Sequence, residues 1–220
     1  MRSLRACLTS RLSRSFILLL LLTMVAGIQT ARAFTVNSGS PTPKWTNPSA
    51  YYYFDSSFTH QGITWQNLFN SAINEWNTNA WLGAQFFPCS YAGSPSQCQP
   101  IKGVDYGQNS TYGQTNVQID WLNSNRITGW VTNINTCSCV AWYTGTGTPP
   151  SNQVSLWSVM KHEIGHSLGL CHSGSTTALM YKYTPSGRTL YVGSDATNGD
   201  YYLYYGPNYS GPGPAGSCIP

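Results

Sequence analysis

The chain has 220 residues, enough for one domain with a well-buried core, and its formal net charge is +4. Five of its 11 basic residues fall within the first 33 positions, so the remaining residues carry six basic against seven acidic side chains, a net charge of −1. Charged residues make up only 8% of the chain, a composition that we associate with extracellular proteins, and no basic stripe predicts a nucleic-acid partner.

Residues 1–33 have the pattern of a secretory signal peptide. Arginines at positions 2, 5, 11 and 14 precede an apolar run, Phe16 to Ile28, and Ala31-Arg32-Ala33 follows as a cleavage site. The run is shorter than the ~20 residues that a bilayer requires, which disfavours the alternative of a membrane anchor. We therefore predict a secreted, extracellular protein whose mature chain begins at Phe34 and has no membrane anchor after cleavage.

Two elements are predicted near the start of the mature chain. Lys44-Trp45 and then Tyr51 to Phe54 form a candidate first strand. A helix with one buried face follows, because apolar residues recur there at helical spacing. They are Trp65, Leu68, Phe69, Ala72, Ile73 and Trp76.

Cysteines mark the middle of the chain. Without Cys7, which leaves with the signal peptide, six remain, an even number that predicts three disulfides in an exported protein. Cys89 and Cys98 bracket a loop rich in Ser, Pro and Gly, and we expect them to bond each other. Cys137 and Cys139 lie two apart in a predicted strand region, where their Cβ vectors would not meet, so we expect each to bond a distant partner.

Further along, residues 117 to 121 alternate as in a half-buried strand, and Trp130 to Tyr143 contains one or two more strands. A helix is predicted from Gln153 to Leu168, ended by Gly169, and another from Asp195 to Gly206. We assign residues 34–206 to one domain and residues 207–220 to a Pro/Gly-rich C-terminal tail, tethered through Cys218.

Three of the four histidines fall between positions 162 and 172. His162 and His166 are one helical turn apart, so both imidazoles can reach one ion. Gly169 permits a turn that brings His172 back as a third ligand. Three neutral imidazoles and an open position are typical of a single catalytic zinc. The alternative, a helix with incidental histidines, does not explain this clustering.

Glu163 lies beside the predicted ligand face without being a ligand itself. A zinc-activated water attacking a peptide carbonyl needs a general base, and Glu163 is placed to accept its proton and to pass it to the leaving amine. His60 stands alone in a loop, and we expect it to be a surface residue. Cys171 should point away from the ion, because neighbouring side chains in an extended segment alternate, and Cys137 or Cys139 is its expected disulfide partner.

The run H-E-x-x-H-x-x-G-x-x-H, followed by Ser173 and by Ala178-Leu179-Met180-Tyr181, resembles the metzincin zinc metalloproteases. Within that group it is most similar to the matrixins, the family of the matrix metalloproteinase catalytic domains. The resemblance implies an α+β, zincin-like fold with a twisted mixed β-sheet, an active-site helix and a C-terminal helix. It also implies that Met180 is the Met-turn residue, an apolar floor beneath the zinc ligands.

Three features depart from the matrixin pattern. Lys182 stands where matrixins carry a proline that helps to shape the pocket beside the scissile bond. No histidine lies between His60 and His162, so we expect no second zinc, while calcium binding stays open. No cysteine lies between Phe34 and Trp45, so we expect no cysteine switch.

The sequence thus predicts a secreted, monomeric zinc metalloendopeptidase that hydrolyses proteins or peptides, with the 34–206 domain as its catalytic domain. We expect the substrate to lie extended along an edge strand within Trp130 to Asn135. The alternative is a secreted, non-catalytic binding or adhesion module that keeps the metzincin fold, with its aromatic residues as the binding surface. A third option, the astacins, is disfavoured by Ser173 and Lys182.

Overall fold

The computed structural model describes residues 35–36, 43–46, 49–79, 85–91, 95–108, 111–120, 122 and 126–205. Its strands are β1 (Thr35–Val36), β2 (Ser49–Phe54), β3 (Gln85–Pro88), β4 (Cys98–Val104), β5 (Gly113–Asp120), β6 (Arg126–Asn135), β7 (Trp142–Tyr143), β8 (Val154–Ser155) and β9 (Leu170–Cys171). Its helices are α1 (Ser56–Thr59), α2 (Gly62–Asn79), α3 (Leu156–Ser167) and α4 (Ser194–Tyr205).

Five strands form the main sheet, in the order β3-β2-β4-β6-β5. The pairs β2–β3, β2–β4 and β4–β6 are parallel, whereas β5 runs antiparallel to β6 and ends the sheet. Together with the helices, this mixed sheet confirms the predicted α+β fold class, including a C-terminal helix, α4. The edge formed by β5 is the part of the sheet that bears on function, because β5 lies against helix α3.

The predicted edge strand is wrong. Residues 130–135 lie inside the sheet, since Val117 pairs with Trp130 on one side and Ile101 pairs with Thr132 on the other. The physical reason lies in the hydrogen-bonded pairing of the strands: β6 has a partner on each side, β4 and β5, whereas β5 has a partner on one side only. The edge strand is β5, whose residues alternate between half-buried and exposed.

Helix α2 supplies much of the core beneath the sheet. Its buried residues are Leu68, Phe69, Ala72, Ile73 and Trp76, five of the six predicted from helical spacing. Trp65, the sixth, is half-buried and packs edge-on against the rings of Phe58 and Trp142. The Trp76 indole donates a hydrogen bond of 2.9 Å to the Lys161 carbonyl, which joins α2 to α3.

Two disulfides are local. Cys89 bonds Cys98, as predicted, with Cα atoms 5.7 Å apart. Cys137 bonds Cys139, at a Cα separation of 5.1 Å, and this corrects the expectation that each would find a distant partner. The reason is that β6 ends at Asn135, so the two cysteines lie in a turn rather than in a strand. The turn brings the two Cα atoms to 5.1 Å, well within the range of a disulfide, whereas an extended strand would hold positions two apart at about 6.7 Å.

Several predictions fall on residues outside the described ranges. They are the signal peptide at 1–33, the mature terminus at Phe34, and the tail at 207–220 with Cys218. The described residues all belong to one compact unit, Arg32–Pro220. Within the described ranges, no helix is long and apolar enough to cross a membrane.

Candidate metal centre and active site

Helix α3 carries the first two predicted ligands. It begins after Ser155, whose hydroxyl accepts a hydrogen bond of 3.2 Å from the Ser158 amide and so caps the helix. After the helix ends, Gly169 adopts a φ of 98°, a conformation that favours glycine. The chain then turns into β9, which leads directly to His172.

The three predicted ligands converge. His166 Nε2 lies 3.0 Å from His162 Nε2 and 3.3 Å from His172 Nε2. Ligands held tetrahedrally at ~2.0–2.1 Å from one zinc ion lie about 3.3–3.4 Å apart, so these separations are close to those that a bound zinc requires. His162 is buried, His166 half-buried and His172 exposed, and the cluster therefore opens to solvent on one side.

Backbone carbonyls orient two of the rings. His162 Nδ1 lies 2.8 Å from the Leu179 carbonyl oxygen, and His166 Nδ1 lies 2.7 Å from the Leu170 carbonyl oxygen. A carbonyl only accepts hydrogen bonds, so each Nδ1 is the protonated nitrogen and each Nε2 presents a lone pair. Two lone pairs facing each other at 3.0 Å repel unless an electron-pair acceptor lies between them. A metal cation meets that need, and the residues present therefore fit zinc.

Burial keeps these imidazoles neutral. Loss of solvation lowers the pKa of His162 to about 4 and holds the pKa of His166 well below its ordinary value. The pKa of His172 is also lowered, first by burial and then by the charge of Lys182. Neutral imidazoles are the form that binds metal, so the site does not have to lose protons at neutral pH.

Met180 lies against the helix that carries the ligands. A Cβ on Gly165 would collide with Met180 Sδ and pass 3.1 Å from Trp76, so only glycine admits Met180 this close to α3. The Ser173 amide donates a hydrogen bond of 2.6 Å to the Met180 carbonyl, and Met180 is fully buried. The loop that carries Met180 also supplies the Leu179 carbonyl to His162, so the same loop packs beneath the site and orients a ring.

Glu163 points into the site from the helix. Its side chain is buried, and its Oε2 has no hydrogen-bond partner among the described residues. Burial raises the pKa of Glu163 to about 8, while a hydrogen bond from Thr115 acts in the opposite direction. A Cβ on Gly113 would lie 2.8 Å from Glu163 Oε1, so the start of β5 packs directly on the carboxyl group.

A cleft runs over the histidines and Glu163. One part of its lining is the edge strand β5 with the residues before it, from position 111 to 119, and another is the segment 182–184. Within that second segment, Lys182 and Tyr183 are both exposed to solvent. The cleft is thus bounded by an open strand edge and by a short segment bearing a cation.

Cys171 differs from expectation. It is buried and disulfide-bonded, but Cys137 and Cys139 bond each other, so its partner lies outside the described residues. Its backbone pairs with Thr35 in β1, and the Thr35 hydroxyl donates a hydrogen bond to the carbonyl of the next residue, His172. The segment leading to the third ligand is therefore held by a strand from the far end of the domain.

Sequence patterns did not identify several residues around the site. Gly113 and Gly165 matter because of what packs against them, and the Leu170 and Leu179 carbonyls act through backbone atoms, so no side-chain pattern in the sequence indicates these roles. His60, the isolated histidine, is exposed as expected.

Comparison with known proteins points the same way as the geometry. A family model described as matrixin matches residues 109–205, the part of the chain that contains β5, β6, α3, β9 and α4. Over these residues the chain is similar to the matrixins. That match agrees with the resemblance seen in the zinc and Met-turn motifs.

A second comparison covers a shorter stretch. A protein of Trichoplusia ni ascovirus 2c named "Putative matrix metalloproteinase" is 31% identical over 58 residues. The aligned part is 26% of this chain and 11% of that protein, so the chain spans only about a tenth of the relative's length. Both comparisons thus find similarity to the same family of proteins, the matrixins.

Proposed function

We propose that the chain is a secreted, zinc-dependent endopeptidase with His162, His166 and His172 as the ligands of one catalytic zinc. The observation that carries the proposal is the convergence of three histidine Nε2 atoms, with that of His166 3.0 and 3.3 Å from the other two, at the floor of an open cleft. The buried carboxyl group of Glu163 beside these nitrogens favours catalysis over a module that only binds the metal. Bound zinc supplies Lewis acidity, which polarises a carbonyl and makes water more acidic.

Glu163 supplies the proton transfers. It faces the cleft beside the three ligands, and its Oε2 makes no hydrogen bond to another described residue, so the oxygen is available to an incoming water. In its carboxylate form it accepts a proton from the attacking water and then returns it to the leaving amine. Burial opposes that form, whereas a metal cation close by favours it, so the base and the ligand set function together.

The outer edge of β5 receives the substrate in this proposal. The strand ends the sheet and lines the cleft, so its outward backbone groups can pair with an extended peptide. Main-chain pairing would place a peptide carbonyl over the histidines and Glu163 irrespective of most side chains. The proposal therefore assigns to β5 the role expected of residues 130–135 from the sequence.

The test compares the mature wild type with Glu163→Gln. We expect the wild type to cleave an unfolded protein substrate, to bind close to one zinc per chain, and to lose activity when a chelator removes the metal. Glu163→Gln should retain the zinc and lose cleavage by at least about 100-fold, since general-base groups contribute about that much or more. His162→Ala should lose both.

Two results would contradict the proposal. Cleavage that survives complete removal of zinc would exclude a metal mechanism. Stable binding of zinc with no chelator-sensitive proteolysis on any protein substrate would favour the alternative, a binding or adhesion module that keeps the fold.

A further inference from the structure

The cleft contains one exposed cation. Among its described lining residues, Lys182 is the single lysine or arginine and Glu163 the single carboxylate. Glu163 is buried at the floor, whereas Lys182 is exposed, so it is the ammonium group that meets a ligand entering from solvent. The cleft therefore presents positive charge to its occupant.

The backbone just before Lys182 is held close to the third histidine. Ser173, which follows His172, forms a β-bridge with Tyr181, and the Tyr181 amide donates a hydrogen bond of 3.2 Å to the Ala178 carbonyl. Lys182 comes directly after this bridge. Its charge is consequently presented near the position at which the scissile bond would lie.

No acidic side chain among the described residues pairs with Lys182. The ion pairs of the described residues are Arg126–Asp120 and Lys161–Glu75. The Lys182 ammonium instead lies over the ring of Tyr183, with Nζ 4.9 Å from the ring centroid. A contact with an aromatic face orients the ammonium but leaves its net charge intact, so it can still attract a carboxylate.

We propose that Lys182 forms a cationic subsite that selects substrates with an acidic side chain, Asp or Glu, close to the scissile bond. The inference rests on the proposed peptidase function and names the class of peptide that it prefers. An acidic side chain would form an ion pair with the Lys182 ammonium at the rim of the cleft, while the peptide backbone pairs with β5.

The kinetic test uses peptides that differ only in Glu or Gln, which have nearly the same shape, at each of three positions on either side of the cut. Exposed ion pairs correspond to preferences of up to about 5-fold, so we expect the wild type to favour Glu over Gln by about 3- to 5-fold in kcat/KM at one position. The preference should shrink as salt is raised, because screening weakens exposed pairs.

Substitutions at Lys182 give the matched comparison. Lys182→Gln should abolish the preference, so that its kcat/KM values for the Glu and Gln peptides become equal, and Lys182→Glu should reverse it. Lys182→Arg should retain the preference. Arg188→Gln is the control for a lost surface cation, because Arg188 is exposed and is not among the residues lining the cleft; this variant should behave as the wild type.

A binding measurement separates substrate selection from turnover. The Glu163→Gln background, in which peptides should not be cleaved, allows titration of the same peptides by calorimetry. The Glu peptide should bind about 3- to 5-fold more tightly than the Gln peptide, and adding Lys182→Gln should remove the difference.

Two outcomes would overturn the subsite. Equal treatment of all Glu and Gln peptides by an active wild type would reject it while leaving the peptidase proposal standing. If Lys182→Gln lowers kcat/KM by the same factor for every peptide, the ammonium acts on the reacting carbonyl and not on an acidic side chain of the substrate. An inactive wild type would instead contradict the peptidase proposal, and the binding titration would still decide the charge preference.

Discussion

Gly165 shows how a residue without a side chain shapes the site. It lies inside α3, where alanine is ordinarily more stable than glycine by about 1 kcal/mol. Here the space that a Cβ would occupy is taken by Met180 Sδ, and Trp76 is 3.1 Å away. Because Met180 is fully buried, its sulfur has little room to move aside.

We predict that Gly165→Ala destabilises the protein despite its better helix propensity. Overpacking a core costs about 1–3 kcal/mol, and so close a clash should fall in the upper half of that range. After the gain of about 1 kcal/mol in helix propensity, the net loss in the free energy of unfolding should be roughly 1–2 kcal/mol, measured by urea denaturation of the zinc-free protein. Zinc affinity should also fall, since Met180 belongs to the loop that orients His162.

The control for Gly165 is Gly174→Ala. A Cβ there meets nothing within 4 Å, and stability should change by less than about 0.5 kcal/mol. Adding Met180→Ala to Gly165→Ala should cost less than the sum of the two single changes, because the deleted side chain is the one that the new methyl group strikes. Additive losses would contradict the packing explanation.

At the scale of elements, a buried ion pair joins three segments. Lys161, in α3, is fully buried, and its ammonium lies 2.8 Å from Glu75 Oε2 in α2. The second carboxylate oxygen of Glu75 accepts a hydrogen bond of 2.6 Å from the Val192 amide. Lys161 Nζ also lies 3.5 Å from the centroid of the Trp157 ring. Lys161, which precedes the ligand His162, is therefore joined directly to α2 and, through Glu75, to the segment at Val192.

We predict unequal effects from the two partners of this pair. Glu75→Leu leaves a buried ammonium uncompensated and should cost about 3–5 kcal/mol in the free energy of unfolding. Lys161→Met should cost less, because Glu75 keeps its bond to Val192 and has a side chain 13% accessible to water. The double variant should be more stable than Glu75→Leu alone.

Arg126→Met tests the comparison on an exposed pair. Arg126 and Asp120 are 3.7 Å apart with side chains 47% and 22% accessible, and the change should alter stability by less than about 1 kcal/mol. Equal losses from Glu75→Leu and Lys161→Met would contradict the asymmetry. All four variants can be compared by urea denaturation in one buffer.

These elements show what periodicity can and cannot predict. Helix α2 was recognised because five of its core residues recur at helical spacing, and the site because the histidines follow a motif. The edge position of β5 depends on which strand packs beside β6, a non-local outcome. Burial of Lys161 was equally invisible, since a lysine within a helix is ordinarily solvated. Cys137 and Cys139 were assigned wrongly because their pairing depends on where β6 ends.

At the scale of the whole molecule, stability depends on a carboxyl group in the C-terminal helix. Asp200 is fully buried, and neither of its carboxylate oxygens has a hydrogen-bond partner among the described residues. Burial raises the pKa of Asp200 to about 7. Between the unfolded value near 3.8 and about 7, the folded protein binds a proton that the unfolded chain releases.

We predict that this contribution to stability is present below about pH 4 and is lost as the pH rises through 7. Asp200→Asn cannot ionise, so its stability relative to the wild type should increase across that window, by at most about 4 kcal/mol. The measurement is urea denaturation of both zinc-free proteins from pH 4 to pH 8. Parallel curves for Asp200→Asn and the wild type would contradict the prediction.

The pairing of β1 with β9 has a consequence for the order of events during folding. Thr35 and His172 are joined by a hydrogen bond across 137 positions, most of the distance in sequence between the first and last described residues. Contacts so distant in sequence form slowly, because a long loop must close before they are gained. During synthesis the strand at residues 35–36 must wait until the segment after α3 has left the ribosome. The third ligand should therefore reach its final position late, and full zinc affinity should develop after the sheet has formed.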